Sequence, residues 1–271
     1  MTENPSALRP PSLLDGAGVQ ARVVGALILR ELKTRFGRSR IGYLWAVIQP
    51  ALVIAAIAVI FTVIGGDLRR GLPTASFLAT GFIPFKLFMS VLERARGAVE
   101  GNRGLLLHPR ITTLDIIVAR TLLEGATFLV VLAVLGGGIV AFAFDEPPVS
   151  PLGLVADLGL AMLLGFGVGL AVGAAAIVVS SVERVVSVIN NLLFFLSGVF
   201  YLPESLPPEI RDPLLLNPIL HITEFARLSW YGAEAFPSHG SLGYVLWWIA
   251  TAAFLGLAAE RATRPMIRNE S

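Results

Sequence analysis

The feature that most constrains the fold is a series of long apolar runs, the clearest of which, residues 43–64, has no charged residue. A helix needs about 20 mostly apolar residues to cross the hydrocarbon core of a membrane. Six runs reach or approach that length, at residues 43–64, 75–92, 114–144, 153–180, 185–201 and 243–259. Only 15% of the 271 residues carry charge, too few to coat a soluble protein, where about 25% is usual. The sequence therefore predicts an all-α integral membrane protein with six transmembrane helices.

The basic residues are divided unequally between the segments that join these runs. If the N-terminus is cytoplasmic, sixteen of the 21 Lys and Arg residues fall on the cytoplasmic side and Lys86 falls within a span. The opposite side has Arg69, Arg70, Arg211 and Arg227. Cytoplasmic loops carry such an excess of Lys and Arg. We therefore expect both termini to be cytoplasmic, which requires an even number of spans.

The N-terminal region is predicted to contain a tail and a surface helix. Residues 1–20 are polar and rich in proline, and we expect a mobile tail followed by a single transmembrane domain over residues 21–271. Within residues 22–40, apolar side chains recur every four residues, while Arg30 and Lys33 lie on the other face. Such a basic amphipathic helix is typical of the inner membrane surface. Its polar face either stays in water or binds a protein partner.

The cytoplasmic segment between the second and third runs reads ERARGAVEGNRGLLLHPRITT, from Glu93 to Thr113. Gly101 and Gly104 permit a turn, and Pro109 ends any helix at or before His108. The three leucines suit either a short surface helix that inserts apolar side chains into a partner or an ordinary solvated loop.

The outer segment between the last two runs, residues 202–242, combines prolines with apolar residues. The prolines prevent a continuous span, whereas Leu206, Ile210 and residues 214–216 are unusual in a free loop. Re-entrant short helices that enter the outer leaflet, with their ends covered by protein, would accommodate both features. Residues 219–230, after Asn217 and Pro218, are predicted to form one more short helix.

Side chains with catalytic or ligand-binding chemistry are scarce. The absence of cysteine excludes disulfides and thiolate metal sites, and the three histidines lie on both sides of the membrane, so no metal site is predicted. A P-loop requires Gly-Lys-Ser/Thr, but Lys33 follows Leu32 and Lys86 follows Phe85. We therefore predict that the chain is not an enzyme. Its net charge of +2 gives no support to a nucleic-acid partner.

Three features inside the spans have structural interpretations. Arg120 and Glu124 are four residues apart on one helical face, and we expect them to pair with each other. Lys86 is long enough to extend toward an interface. Glycines at 165, 169 and 173 predict a stripe where another helix approaches closely, with a flexible hinge as the alternative.

The order of several motifs resembles the polysaccharide-export permeases of the type-2 ABC exporter class over residues 22–260. These motifs are RELKTRFGRSRIGYLWAVIQP at residues 30–50, GFIPFKLF at 81–88, EGNRGLLLHPR at 100–110, LFFLSGVFYLPESLP at 193–207 and LLLNPILHITEFAR at 214–227. RELKTRFG and GYLW resemble most closely the capsular polysaccharide exporters of Gram-negative bacteria. Phe85 stands where that family often has tryptophan.

The resemblance implies a multi-pass protein of the bacterial inner membrane that exports a lipid-linked capsular polysaccharide. It implies a homodimer of this permease with two copies of a separate ABC ATPase, which would bind ATP and magnesium, while this chain has no cofactor. Membrane lipid and further capsule-export machinery would be partners. Alternatives are a permease of the same class for O-antigen, teichoic acid, a drug or a small lipid, and an ion-driven secondary transporter.

The resemblance also assigns roles to particular residues. The ATPase-coupling surface would comprise Glu100, Asn102, Arg103, Leu105, Leu106, His108 and Arg110, with Arg30, Lys33 and Arg35 of the N-terminal helix. The aromatic residues Tyr43, Trp45, Phe194, Phe195, Phe200 and Tyr201 either anchor helices at the membrane interface or form a lumen wall on which sugar rings stack. Pro203, Leu206, Pro207 and Ile210 would form an outer gate.

The predicted topology can be tested by cysteine labelling, because the chain has no native cysteine. A membrane-impermeant maleimide should label Pro147→Cys and Leu206→Cys from outside the cell. Arg38→Cys, Arg103→Cys and Met266→Cys should react only after the membrane is permeabilised. Labelling of Arg103→Cys in intact cells would overturn the topology.

Overall fold

The computed structural model describes residues 13–36, 42–64, 71–106, 111–179, 182–236 and 238–269, which are helices joined by short connections. The α-helices are α1 (Leu13–Phe36), α2 (Gly42–Ile64), α3 (Thr74–Arg96), α4 (Arg103–Leu106), α5 (Thr113–Ala141), α6 (Pro151–Val178), α7 (Val182–Leu196), α8 (Pro208–Leu214), α9 (Pro218–Ala235) and α10 (Leu242–Asn269). Short 3₁₀ helices occupy Glu100–Asn102 and Pro203–Ser205. No strand occurs within the described ranges.

Five of the described helices, α2, α3, α5, α6 and α10, are long and apolar enough to cross a membrane. This confirms the predicted class of all-helical membrane protein and five of the six predicted spans. The predicted span at residues 185–201 corresponds to α7, which is apolar but has only 15 residues. At about 1.5 Å per residue, α7 is about 22 Å long, shorter than the roughly 30 Å hydrocarbon core.

The helices at the six predicted runs, α2, α3, α5, α6, α7 and α10, each begin within three residues of the predicted start, but several helices extend further than the apolar runs. Because α1 begins at Leu13, residues 13–20 are helical rather than part of a mobile tail, and residues 1–12 lie outside the described residues. Helix α3 continues to Arg96 and α10 to Asn269. Their last turns carry basic residues, which favour the helix C-terminus. A scan for apolar runs detects only the uncharged part of such helices.

Local capping explains where three helices begin. Thr112 and Asp115 form a reciprocal capping box at α5, so Asp115 caps a helix rather than lying inside a span. At α6, the side chain of Ser150 accepts a hydrogen bond from the backbone N–H of Gly153. At α9, Asn217 caps the N–H of Ile219 and is followed by Pro218. The last cap confirms the predicted short helix after Asn217.

Helix α3 is the central element, because it is buried along most of its length and packs against α2, α5, α6 and α9. Helix α6 packs against both α3 and α10. In contrast, most side chains of α2 are at least partly exposed in the single chain. The core is therefore built around α3 and α6, with α2 at its edge.

The glycine stripe of α6 is where α3 approaches most closely. A Cβ at Gly165 would lie 2.7 Å from the carbonyl oxygen of Phe88, and one at Gly169 would lie 2.6 Å from the Cβ of Ala95. On another side of α6, a Cβ at Gly167 would lie 2.7 Å from the backbone nitrogen of Ala253 in α10. The predicted packing role is thus confirmed, with glycine allowing close contact on two sides of the helix.

Alanine substitutions on α6 should separate packing from helix propensity. We expect Gly165→Ala and Gly169→Ala each to lower the free energy of unfolding by about 1–3 kcal/mol, because backbone atoms must shift. Gly159→Ala is the matched control, since no atom lies within 4 Å of the place that its methyl group would take, and it should be neutral or stabilising by up to about 1 kcal/mol. Thermal unfolding of the detergent-solubilised variants measures the difference. Equal effects at all three positions would exclude the packing explanation.

Candidate functional site

The first candidate region is the unit in which α1 packs on α5, and we call it the cytoplasmic unit after its predicted location. Its apolar cluster contains Leu27 of α1, Ala95 of α3, and Ile116 and Ile117 of α5, with Leu105 of α4 packed against it. Val24 and Ile28, which are four residues apart in α1, also pack here. The apolar face of α1 therefore contacts the chain itself.

Polar contacts join the same elements. Nη1 of Arg30 donates to Oδ1 of Asn102 at 3.0 Å, and Nδ2 of Asn102 donates to the carbonyl of Ala98 at 3.0 Å. Nη1 of Arg120 donates to the carbonyls of Arg94 and Gly97 at 3.2 and 3.3 Å. These bonds tie α1 and α5 to the turn that follows α3. A displacement of that turn would therefore be passed directly to α1, α3 and α5.

The predicted pairing of Arg120 with Glu124 is wrong. Nε of Arg94 lies 3.1 Å from Oε1 of the buried Glu124, whereas Nε of Arg120 lies 3.5 Å from Oε1 of Glu31. The C-terminal extension of α3 brings Arg94 beside Glu124, and Arg120 turns toward α1. Contacts between helices thus replace the pairing that the four-residue spacing favoured.

The structure places the predicted coupling residues unequally. Asn102 is 4% exposed and holds the turn, Leu105 is half-buried against the cytoplasmic cluster, and Lys33 is exposed. The side chains of Arg35, Glu100, Arg103 and Leu106, and the whole of His108 and Arg110, lie outside the described part of the chain. Asn102 and Leu105 are therefore packed within the chain itself, and the coupling role of all these residues stays a prediction.

The second candidate region is a cavity of about 570 Å³ between α2, α3, α5 and α7. Aromatic side chains form one part of its wall, and these are Phe82, Phe85, Phe128, Phe194 and Phe195. Polar and charged side chains form another part, among them Gln49, Lys86, Ser90, Glu93, Asn190 and Asn191. The cavity can therefore contact a molecule that is apolar or ring-shaped at one end and polar at the other.

Phe194 is the centre of the aromatic wall. Its ring centroid lies 4.8 Å from that of Phe200, 5.3 Å from Phe85 and 6.1 Å from Phe82. Two of these pairs are edge-to-face, an arrangement that aromatic rings favour. Phe195 lies beside Phe194 and is 62% exposed.

The aromatic residues predicted to line a lumen therefore divide into groups. Phe194 and Phe195 line the cavity, and Phe200 packs against the ring of Phe194 without lining the cavity itself. Trp45 is 57% exposed and does not border the cavity, and the side chain of Tyr43 lies outside the described part. Sequence reasoning missed Phe82 and Phe85, although their three-residue spacing in GFIPFKLF places them on one helical face.

The third candidate region is the outer segment after α7, which is held by a buried arginine. Arg227 of α9 is fully buried, and its guanidinium donates to the carbonyls of Gly198, Val199 and Tyr201. Its Cζ lies 4.0 Å from the ring centroid of Phe77, a cation–π geometry. Gly198 has φ +66°, a conformation that favours glycine. Tyr201, a predicted lumen residue, thus belongs to this clamped turn.

An acidic residue accompanies Arg227 in α9. Oε1 of Glu224 lies 3.6 Å from Nη1 of Arg227, and both side chains are fully buried. Burial raises the pKa of Glu224 to about 7, although the positive charge of Arg227 opposes that rise. The negative charge that faces Arg227 therefore diminishes as the pH falls below neutrality.

Further polar contacts hold α9 against its neighbours. Nε1 of Trp230 donates to Asp145 at 3.1 Å, Ser76 also hydrogen-bonds Asp145, and Oγ of Ser229 donates to Asp157 at 2.7 Å. These bonds join α9 to α3, α6 and the α5–α6 connection. Helix α9 is therefore a fixed support for the outer segment.

The predicted outer-gate residues lie on the 3₁₀ helix, on α8 and in the connection between these two short helices. Pro203 is buried and Leu206 is half-buried, whereas Pro207 and Ile210 are exposed. The carbonyl of Leu216, just beyond α8, accepts a hydrogen bond from Tyr244 of α10 at 2.8 Å. The prediction of short helices here is confirmed, while their entry into the outer leaflet stays a prediction.

Comparison with known proteins connects these regions to a transport family. The profile of the family described as ABC-2 type transporter matches residues 22–231. The polysialic acid transport protein KpsM of Escherichia coli is 32% identical over 252 residues, covering 91% of this chain and 95% of that protein. The capsule polysaccharide export inner-membrane protein CtrC of Neisseria meningitidis serogroup B is 30% identical, covering 84% and 86%. The protein of that same description from Haemophilus influenzae, BexB, is 27% identical with the same coverage.

Arg227 should be essential for the stability of the outer segment. Arg227→Met keeps the volume but removes the charge and leaves buried acceptors unpaired, so we expect a loss of about 3–5 kcal/mol in unfolding free energy. Arg227→Lys should lose less, because it retains one cationic donor. Arg211→Met is the control, since Arg211 forms a partly exposed pair with Asp212 on α8 and should cost less than about 1 kcal/mol. Thermal unfolding in detergent measures all three, and equal stability of the two methionine variants would contradict the clamp.

Proposed function

This chain belongs to the ABC-2 type transporter family, and from that premise we propose that it is the permease subunit of a capsule-polysaccharide exporter in the bacterial inner membrane. The observation that carries the proposal is that capsule-export inner-membrane proteins match this chain along most of their length. The matched region includes the cytoplasmic unit, the cavity and the clamped outer segment. Subunits of this family are transport components rather than enzymes.

The proposed topology has six spans, with α7 as the fifth. The basic residues at the ends of α3 and α10, Arg94, Arg96, Arg261 and Arg264, support a cytoplasmic location for those ends. Helix α7 is short, but the outer segment that follows it packs on α9 and would complete the crossing from within the protein. Irregular backbone is tolerated at membrane depth where protein covers it.

The partner expected of an ABC-2 permease is an ABC ATPase within one transporter. We propose two copies of that ATPase and two copies of this chain, with ATP and magnesium bound by the ATPase alone. The apolar side chains that α2 and α7 expose in the single chain support a second copy at this side, among them Leu52, Val59, Ile60, Val188 and Leu192. In that arrangement the aromatic cavity would border a lumen shared by the two copies.

The contacts of the cytoplasmic unit suggest how ATP could drive export. Closure of the ATPase would push the turn around Asn102, and the bonds from Arg30 and Arg120 would carry the displacement to α1, α3 and α5. A shift of α3 would move Phe82 and Phe85 and so reshape the cavity. Aromatic walls suit a sliding polymer, because sugar rings stack on them without fixing one register. The outer short helices would open last and release the chain, together with further capsule-export machinery.

The test of the proposed function uses one substitution in the coupling segment. Leu106→Asp places a charge where the sequence predicts an apolar contact with the ATPase, and burying a leucine contributes about 1.5–3 kcal/mol. We expect the ATPase to stop co-purifying and polysaccharide to accumulate inside the cell. Leu106→Met is the matched control and should retain both assembly and export.

Two measurements make this test decisive. Cysteine labelling at position 147 verifies that Leu106→Asp still inserts, and antibody staining of intact cells reports polymer on the surface. Full assembly and full export by Leu106→Asp would move the coupling role away from residues 100–110. If the wild-type chain with its ATPase fails to restore polymer export in a permease-deficient strain, the proposed function is wrong.

A further inference from the structure

Lys86 is a charged residue in the most buried helix of the protein. Its neighbours Phe85, Leu87 and Phe88 are buried apolar residues, whereas Lys86 is half-buried and borders the cavity between α2, α3, α5 and α7. A cation at such a position is unfavourable unless it faces a partner or a polar cavity. Among the described residues, no carboxylate forms an ion pair with Lys86.

The two carboxylates that border the cavity do not cancel this charge. Glu124 is already paired with Arg94, at 3.1 Å. Glu93 is exposed at the cytoplasmic end of the cavity, and its seven-residue separation from Lys86 corresponds to about 10 Å along α3. The ammonium group of Lys86 therefore has no carboxylate partner among the described side chains, although Glu93 and Glu124 also belong to the lining of the cavity.

Neutral hydrogen-bond donors lie around the same cavity. Gln49 comes from α2, and Asn190 and Asn191 come from α7. Each amide group has two N–H donors that can bind an oxyanion. Helices α2 and α7 thus supply amide donors to the same cavity that the ammonium group of Lys86 borders.

We propose that this cavity binds an oxyanion, a phosphodiester or a carboxylate, with Lys86 as the charged ligand and Gln49, Asn190 and Asn191 as neutral donors. The aromatic wall formed by Phe82, Phe85, Phe194 and Phe195 holds the sugar ring or hydrocarbon attached to that oxyanion. If the oxyanion belongs to the exported polymer, the inference rests on the proposed function. If it belongs to an anionic membrane phospholipid, the site stands independently of that function.

The experiment measures binding to the permease–ATPase complex in nanodiscs. One arm titrates a short sialic acid oligomer, which carries carboxylates, against a neutral maltodextrin of similar length, in nanodiscs of phosphatidylcholine alone. The other arm measures retention of phosphatidylglycerol against phosphatidylcholine by native mass spectrometry. The variants are Lys86→Met, Lys86→Arg and the control Arg261→Met, which removes an exposed charge on α10 outside the cavity.

The expected result is a loss of at least about tenfold in affinity for one anionic probe in Lys86→Met, since hydrogen bonds to charged groups account for that much. Lys86→Arg should restore most of the binding, Arg261→Met should bind as the wild type does, and the neutral probes should be unaffected. Loss confined to the acidic oligomer assigns the site to the polymer, and loss confined to phosphatidylglycerol assigns it to lipid.

Two outcomes separate this inference from the proposed function. If the wild type exports polymer but Lys86→Met binds both anionic probes normally, the oxyanion site is wrong and the function stands. If the wild type exports no polymer but retains phosphatidylglycerol through Lys86, the function is wrong and the site stands. Equal losses in Lys86→Met and Lys86→Arg, with Arg261→Met unaffected, would show that side-chain shape rather than charge matters and would also overturn the proposal.

Discussion

The close contact between α6 and α3 is the constraint on which the other features depend. At Gly165 and Gly169 the two backbones approach too closely for a methyl group, and in lipid such packing has to replace the hydrophobic driving force that holds soluble helices together. Helix α6 also contacts α10 at Gly167, so α3 is held on one side, at residues 88–96, by a helix that is itself packed. The opposite face of α3 is then free to border a cavity and to carry a cation. A bulkier α6 would shift Phe82, Phe85 and Lys86 together.

Polar contacts at the two ends of this packed core have different consequences. At the cytoplasmic end, Arg30, Asn102 and Arg120 join three helices to one turn through hydrogen bonds to side chains and carbonyls. At the outer end, Arg227 is fully buried and holds the backbone of residues 198–201. In the first set Arg30 is exposed, so its bond to Asn102 can exchange with water at modest cost, whereas the bonds of Arg227 would leave buried groups unpaired if they broke. We therefore expect movement to enter more readily through α1, at the predicted cytoplasmic end.

The elements that the sequence predicts well are those governed by local rules. Apolar runs place α2, α3, α5, α6 and α10, and the Asn217-Pro218 pair marks the start of α9. The failures arise where distant residues compete. The four-residue spacing favours an ion pair between Arg120 and Glu124. Arg94 forms the pair with Glu124 instead, because α3 extends beyond its apolar run, and a scan for apolar runs cannot detect that extension. From the sequence alone, Arg227 counts as one more charged residue of an outer loop. Its buried position is not predicted, because only the tertiary structure brings three carbonyls and the Phe77 ring around it.

The rigidity around Arg227 limits where an outer gate can move. Residues 198–201 are bound to α9, and α9 is bound in turn to α3, α6 and Asp145. By comparison, α8 has no fully buried side chain and exposes Ile210. The hydrogen bond that Tyr244 of α10 donates to this region is accepted by the carbonyl of Leu216, beyond the end of α8. Local opening requires few buried contacts. The predicted outer gate would therefore move at α8, pivoting on the turn that Arg227 holds, while α7 keeps its aromatic side chains in the cavity.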